Sequence, residues 1–138
     1  MTVRLLVLAS LLAPTAALAH PGGHEEEIRR PSTIIPETFG GVVSALRAGH
    51  ASATTAMAGK ITDAATHAQA MADLAAALPS KATSLSAEAQ ADVATRSAAV
   101  KKQAETVRTK AWTADPAAVK GALDAIALDL AALELLAK

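Results

Sequence analysis

Six of the histidine and methionine side chains in this 138-residue sequence fall into three pairs whose spacing suits metal chemistry. His20 and His24 sit in a Gly-, Pro- and Glu-containing stretch, followed by Glu25, Glu26 and Glu27. His50 and Met57 lie seven residues apart, and His67 and Met71 four apart, in Ala-rich surroundings. Residues at i and i+4 of a helix share one face a single turn apart, so His67 and Met71 can point at the same object. Helical zinc sites use the same spacing to chelate one ion with two side chains. Imidazole with thioether is a soft-to-borderline donor set that suits copper, with zinc or nickel served less well and through the histidines alone. The sequence holds no cysteine. That removes disulfides, thiolate zinc sites, a cysteine nucleophile and covalent attachment of haem.

The elements that must hold these residues are helices. Phe39, Val43, Leu46, His50, Ala53 and Met57 step by 4, 3, 4, 3 and 4, a single heptad seam. A second seam follows after Gly59 and Lys60, with Ala64, His67, Met71, Leu74 and Leu78. A third carries Ala89, Val93, Ser97, Val100, Ala104, Val107 and Ala111. A fourth carries Val119, Leu123, Ile126, Leu130, Leu133 and Ala137. Pro36 suits the first position of the first helix, and Asp115–Pro116 reads as a cap with Pro at the first position of the last. The expected helices are 36–58, 63–78, 86–113 and 116–137. The expected fold is all-α, an antiparallel up-down-up-down four-helix bundle. The turn at Lys60–Ile61 sets the register of the first hairpin and places His50 level with Met71. His50 and His67 then differ in height by about 6 Å at 1.5 Å per residue. Helix axes 8–10 Å apart bring side chains so placed together. The expected metal set is therefore His50, His67 and Met71, assisted by Met57. A plainer reading is open for the same residues. Methionine fills gaps in cores, and a seam histidine satisfies itself on a helix carbonyl or on Thr54 or Thr66.

Composition supports the helical reading and narrows function. Apolar residues make up 51% of the chain, and 37 of them are Ala, the strongest helix former and a poor strand former. Thirteen basic and thirteen acidic side chains balance, and one Trp and one Phe are the only aromatics. Nucleic-acid binding through charge or base stacking is not expected. There is no glycine-rich phosphate loop, no Ser–His–Asp pattern and no helical Glu-x-x-His pair, so the reading is of a protein that is not an enzyme. Trp112 is expected to cap the end of the bundle. Leu128 and Leu135 lie off the main seam of the last helix, where they would cover a neighbour or form a homodimer patch.

The stretch from His50 through Gly59–Lys60–Ile61–Thr62–Asp63 and on to Ala77–Leu78–Pro79 resembles the first hairpin of the cytochrome c prime and soluble b-type cytochrome superfamily. Thr113–Ala114–Asp115–Pro116 through Leu123 resembles its last turn and helix. The resemblance implies an exported four-helix bundle. Its c-type members carry Cys-x-x-Cys-His near the C-terminus, and this chain has no cysteine. Its b-type members use a Met at the start of helix one and a His in helix four. Here Thr38 and Phe39 stand at the first place, and residues 116–138 hold neither His nor Met. The chain is thus similar to the haemless relatives of that group, and haem is not an expected cofactor.

The N-terminus reads as an export signal. Arg4, the apolar run from Leu5 to Leu12, and Ala17–Leu18–Ala19 are its three parts, with cleavage expected after Ala19. The apolar stretch is shorter than the ~20 residues of a membrane span. The expected organisation is a signal peptide over 1–19, a flexible tail over 20–35 and the bundle over 36–138, in the periplasm. Cleavage would free the α-amine of His20, and with His24 and the glutamates it offers a second, weaker metal site that would supply the bundle; the plainer reading of the same residues is a solvated acidic tail. Three functions follow as expectations. The first is a non-catalytic exported bundle that binds copper. The second is a haemless structural, interaction or stress-protective bundle. The third is a noncovalent haem-binding electron carrier.

Overall fold

The computed structural model describes residues 32–138. Among them there are four helices and no strand: α1 (Phe39–Ala58), α2 (Asp63–Lys81), α3 (Ala87–Trp112) and α4 (Pro116–Leu136). The expected leader, and the expected tail up to Pro31 with its His20 and His24, lie outside the described residues. No helix among those described is long and apolar enough to cross a membrane.

Three of the four helices begin where a side chain satisfies a free N–H group, and at α2 the Thr62 hydroxyl makes no such bond. Thr38 Oγ1 accepts from the Gly41 N–H at 3.1 Å, Ser86 Oγ from Ala89 at 3.2 Å and Asp115 Oδ1 from Ala118 at 3.0 Å. This moves the start of α1 from the expected Pro36 to Phe39, because the Thr38 hydroxyl caps and Pro36 does not. Glu37 forms a 3.7 Å ion pair with Lys81. Pro79 does not end α2, which runs through it to Lys81. A proline in the last turn interrupts a single backbone bond, and the helix stops two residues later, at Lys81.

The helices pack as a ring: α1 on α2, α2 on α3, α3 on α4, and α4 back on α1. The core is one cluster. Its largest fully buried side chains are Leu46, Met71, Leu78, Ile126 and Leu133, with valines and alanines between them. Each large residue contributes about 1.5–3 kcal/mol on burial, and each Ala less. Close helix approach therefore does what bulky side chains do elsewhere. α1 and α2 come close at Gly49, where a Cβ would stand 2.9 Å from Met71 Cγ.

Polar links tie the ring at its edges. Arg47 pairs with Glu134 between α1 and α4. Arg96 bridges Asp92, at 2.9 Å, and Asp129 on α4, at 3.3 Å. Ahead of α1, Thr33 Oγ1 donates to Asp73 on α2 at 2.8 Å, and Ile35 packs on the core. Trp112 is 69% exposed, so it does not cover the bundle end as its position in the sequence suggests.

Candidate metal cleft between α1 and α4

His50 lies two-thirds of the way along α1, on the face turned to α4. Its Nε2 is 2.9 Å from the Leu123 carbonyl oxygen. A carbonyl only accepts, so Nε2 carries the hydrogen and donates. In the neutral ring the lone pair is then on Nδ1. The backbone beneath His50 is also engaged, since Thr54 Oγ1 donates to the His50 carbonyl at 2.9 Å.

Beside the ring is an open cleft of about 360 Å³, lined by His50, Thr54, Met57, Lys120, Leu123 and Asp124 among others. Met57 reaches it because seven residues make two turns and return a side chain to the same face. Lys120 Nζ stands 2.6 Å from Asp124 Oδ2, one turn apart on α4. That pair cancels its own charge, so the cleft offers one imidazole and one thioether with no net fixed charge from α4.

Met71 and His67 do not line this cleft. Met71 is fully buried between α1 and α2, beneath Gly49. His67, one turn earlier on α2, is half-buried. The register expected from the Lys60–Ile61 turn places His50 level with Met71. The observed neighbour of Met71 is Gly49, one residue earlier. One residue is 100° of helix rotation, which turns Gly49 toward α2 and His50 toward α4. Among the described residues, no three His, Asp or Glu side chains are grouped closely enough to hold a metal by themselves.

The bond of His50 to a helix carbonyl is what the plainer reading of a seam histidine expects, with Leu123 as the carbonyl, whereas Lys120 and Asp124 were not among the residues singled out from sequence. The Lys120–Asp124 spacing of four was a visible signal for the ion pair. Nothing comparable announces the α1–α4 register, because no short turn joins those two helices.

Arg96 is the other polar centre. Its guanidinium is held above the ordinary arginine range, first by the hydrogen bond it donates to Asp92 and then by the charges of Asp92 and Asp129, against the opposing effect of burial. The arrangement is a partly exposed fastening of α3 to α4.

No protein-family model matches the chain, and no curated protein or solved structure is significantly similar to it.

Proposed function

We propose that the protein is an exported, non-catalytic, up-down-up-down four-helix bundle that binds a transition metal, copper in first place, through His and Met side chains of α1 and α2. The resemblance to haemless bundles of the cytochrome c prime group and the reading of residues 1–19 as an export signal belong to this proposal. The observation that carries it is the His50 hydrogen bond. Histidines that ligate metals commonly donate their other ring N–H to a backbone carbonyl, which fixes the tautomer and aims the free nitrogen. His50 has that anchor on Leu123 and shares its cleft with Met57. The histidine and thioether donors favour copper over harder ions. His67 and Met71 supply a further donor pair on α2, and the His20/His24 tail a weaker site.

The test is titration of the purified protein with Cu(I), Cu(II), Zn(II) and haem, repeated on His50→Ala, His67→Ala and the double variant. The expected result is copper binding that weakens at least tenfold on loss of His50 (second-sphere losses alone run to roughly 10–100-fold). Equal affinity in wild type and double variant overturns the reading. A Soret band that depends on either histidine replaces it with noncovalent haem binding.

One observation favours a second reading, an interaction module built on α4. Leu128 and Leu135 are 76% and 67% exposed on one side of that helix. Large apolar residues clustered at the surface mark contact sites more often than isolated ones do.

A further inference from the structure

The cleft between α1 and α4 brings together two kinds of group. From α1 come two uncharged donors, the His50 imidazole and the Met57 thioether. The Leu123 carbonyl takes the His50 Nε2, so Nδ1 is the nitrogen that is left. The Thr54 hydroxyl is spent on the His50 carbonyl. From α4 comes one ion pair, with Lys120 Nζ 2.6 Å from Asp124 Oδ2. Asp124 directly follows Leu123, so a single turn of α4 supplies both the anchor of the imidazole and a carboxylate that lines the same cleft. That carboxylate is the one donor in the cleft that suits a harder ion, and a lysine holds it.

Resting on the reading of this cleft as a copper site, we propose that it selects Cu(I) over Cu(II), and that Lys120 is the residue that sets the choice. Thioether is a soft donor that favours Cu(I), whereas Cu(II) favours nitrogen and oxygen donors in a square arrangement. His50 and Met57 serve the first ion with the ion pair left intact. The second ion needs the Asp124 carboxylate. If Cu(II) took it, the Lys120 ammonium would stand unpaired beside the metal. Coulomb energy scales with the product of the charges, so that ammonium opposes a divalent ion twice as strongly as a monovalent one in the same place. Without the lysine, the carboxylate would be free to add both an oxygen donor and a negative charge, and the preference should move toward Cu(II). The pair is a light restraint on the fold. Its side chains are 67% and 65% exposed, and exposed pairs of this spacing contribute little to stability. The choice of ion can therefore be tested by substitution without unfolding the bundle.

The experiment is competition titration of the purified protein against chelators of known affinity, with Cu(I) under anaerobic reducing conditions and with Cu(II) in air. It is run on wild type, Lys120→Gln, the double variant Lys120→Gln with Asp124→Asn, and His50→Ala, each checked for helicity by circular dichroism. Wild type is expected to bind Cu(I) at least tenfold more tightly than Cu(II). Lys120→Gln should move the ratio of the two affinities at least tenfold toward Cu(II), and adding Asp124→Asn should cancel that movement. A wild type that prefers Cu(II) overturns the proposed selectivity and leaves the copper site standing. So does a Lys120→Gln ratio that does not move, or a movement that survives Asp124→Asn. A wild type that binds neither ion, or a His50→Ala variant that binds both as tightly as wild type, overturns the copper reading of the cleft and this inference with it.

Discussion

The His50 imidazole and the Leu123 carbonyl oxygen meet across the α1–α4 groove at 2.9 Å. Leu123 is inside α4, so its carbonyl already belongs to a helical ladder, and its second lone pair takes the ring N–H. The bond does two things. It joins helices far apart in sequence, and it leaves the free lone pair of the neutral ring on Nδ1.

The first prediction concerns that tautomer. At a pH where His50 is neutral, its hydrogen should reside on Nε2 and its lone pair on Nδ1. Long-range proton–nitrogen NMR on labelled protein separates the two ring nitrogens by their shifts. The Nε2–H pattern is expected for His50. An Nδ1–H pattern there would mean that the Leu123 carbonyl is not the partner, and the argument for an anchored ligand would go with it.

Gly49 and Met71 carry the second prediction. An added Cβ at Gly49 would sit 2.9 Å from Met71 Cγ and 3.8 Å from its sulfur, whereas one at Gly121 meets nothing within 4 Å. Alanine is the better helix former at both places, by about 0.5–1 kcal/mol. At Gly121 that preference acts alone, so Gly121→Ala should stabilise by about that amount. At Gly49 the clash falls on the inner part of a fully buried side chain, and overpacking costs about 1–3 kcal/mol. Gly49→Ala should therefore destabilise on balance. Urea denaturation of the two variants gives the sign of each, and a stabilising Gly49→Ala would show that α1 and α2 are not in close contact there.

These two sites also show how far the sequence could be read. Heptad steps locate the helices because burial follows 3.6-residue periodicity: Val93, Ser97, Val100, Ala104, Val107 and Ala111 are all buried, as their spacing predicts. The first hairpin's register is legible to within one residue, since Lys60 and Ile61 leave little freedom in the turn. What that leaves open is rotation about the helix axis. A seam residue such as His50 faces whichever of two neighbours its helix turns toward, and single-chain spacing does not distinguish α2 from α4. That a seam histidine bonds a helix carbonyl is foreseeable, but which carbonyl it finds has no sequence signature. The same limit applies to Trp112. Its place at the end of α3 suggests a cap, but only the path of the following turn decides that it is exposed.

The third prediction is about Arg96. Its guanidinium reaches Asp92 on its own helix and Asp129 on α4. Asp129→Asn should remove only the inter-helix half of this arrangement. The side chains are partly exposed and screened by solvent, so the expected loss is roughly 0.2–1 kcal/mol. A double-mutant cycle with Arg96→Gln isolates the term, and added salt should shrink it. The raised arginine ionisation works in the same direction. Its stabilising contribution is complete below the ordinary arginine range and is lost only as pH climbs through the higher folded value. Stability between neutral and moderately alkaline pH should therefore be indifferent to this group, and an Arg96-dependent loss of stability there would contradict the assignment.

The turn between α3 and α4 supplies the last prediction. Ala114 has φ of 52°, the left-handed region. It follows Thr113, the C-cap of α3. The Asp115 N–H donates to the Lys110 carbonyl at 3.0 Å and the Ala114 N–H to the Ala111 carbonyl at 3.2 Å. This pair of bonds is the Schellman arrangement, in which the residue at Ala114 is usually Gly because a Cβ is strained there. The left-handed region costs an L-residue roughly 1–2 kcal/mol. The extra freedom of Gly in the unfolded chain returns about 0.5–1 kcal/mol of that advantage. Ala114→Gly should therefore raise stability by up to about 1.5 kcal/mol, the opposite of what the same change does inside a helix. Thr113→Gly, at φ of −88°, has no such strain to relieve and should lower it. The two variants differ by one position and are expected to shift the urea midpoint in opposite directions. A loss of stability in both would mean that Ala114 does not occupy the left-handed turn. Asp115 would then lose the geometry that lets one residue close α3 with its N–H and open α4 with its carboxylate.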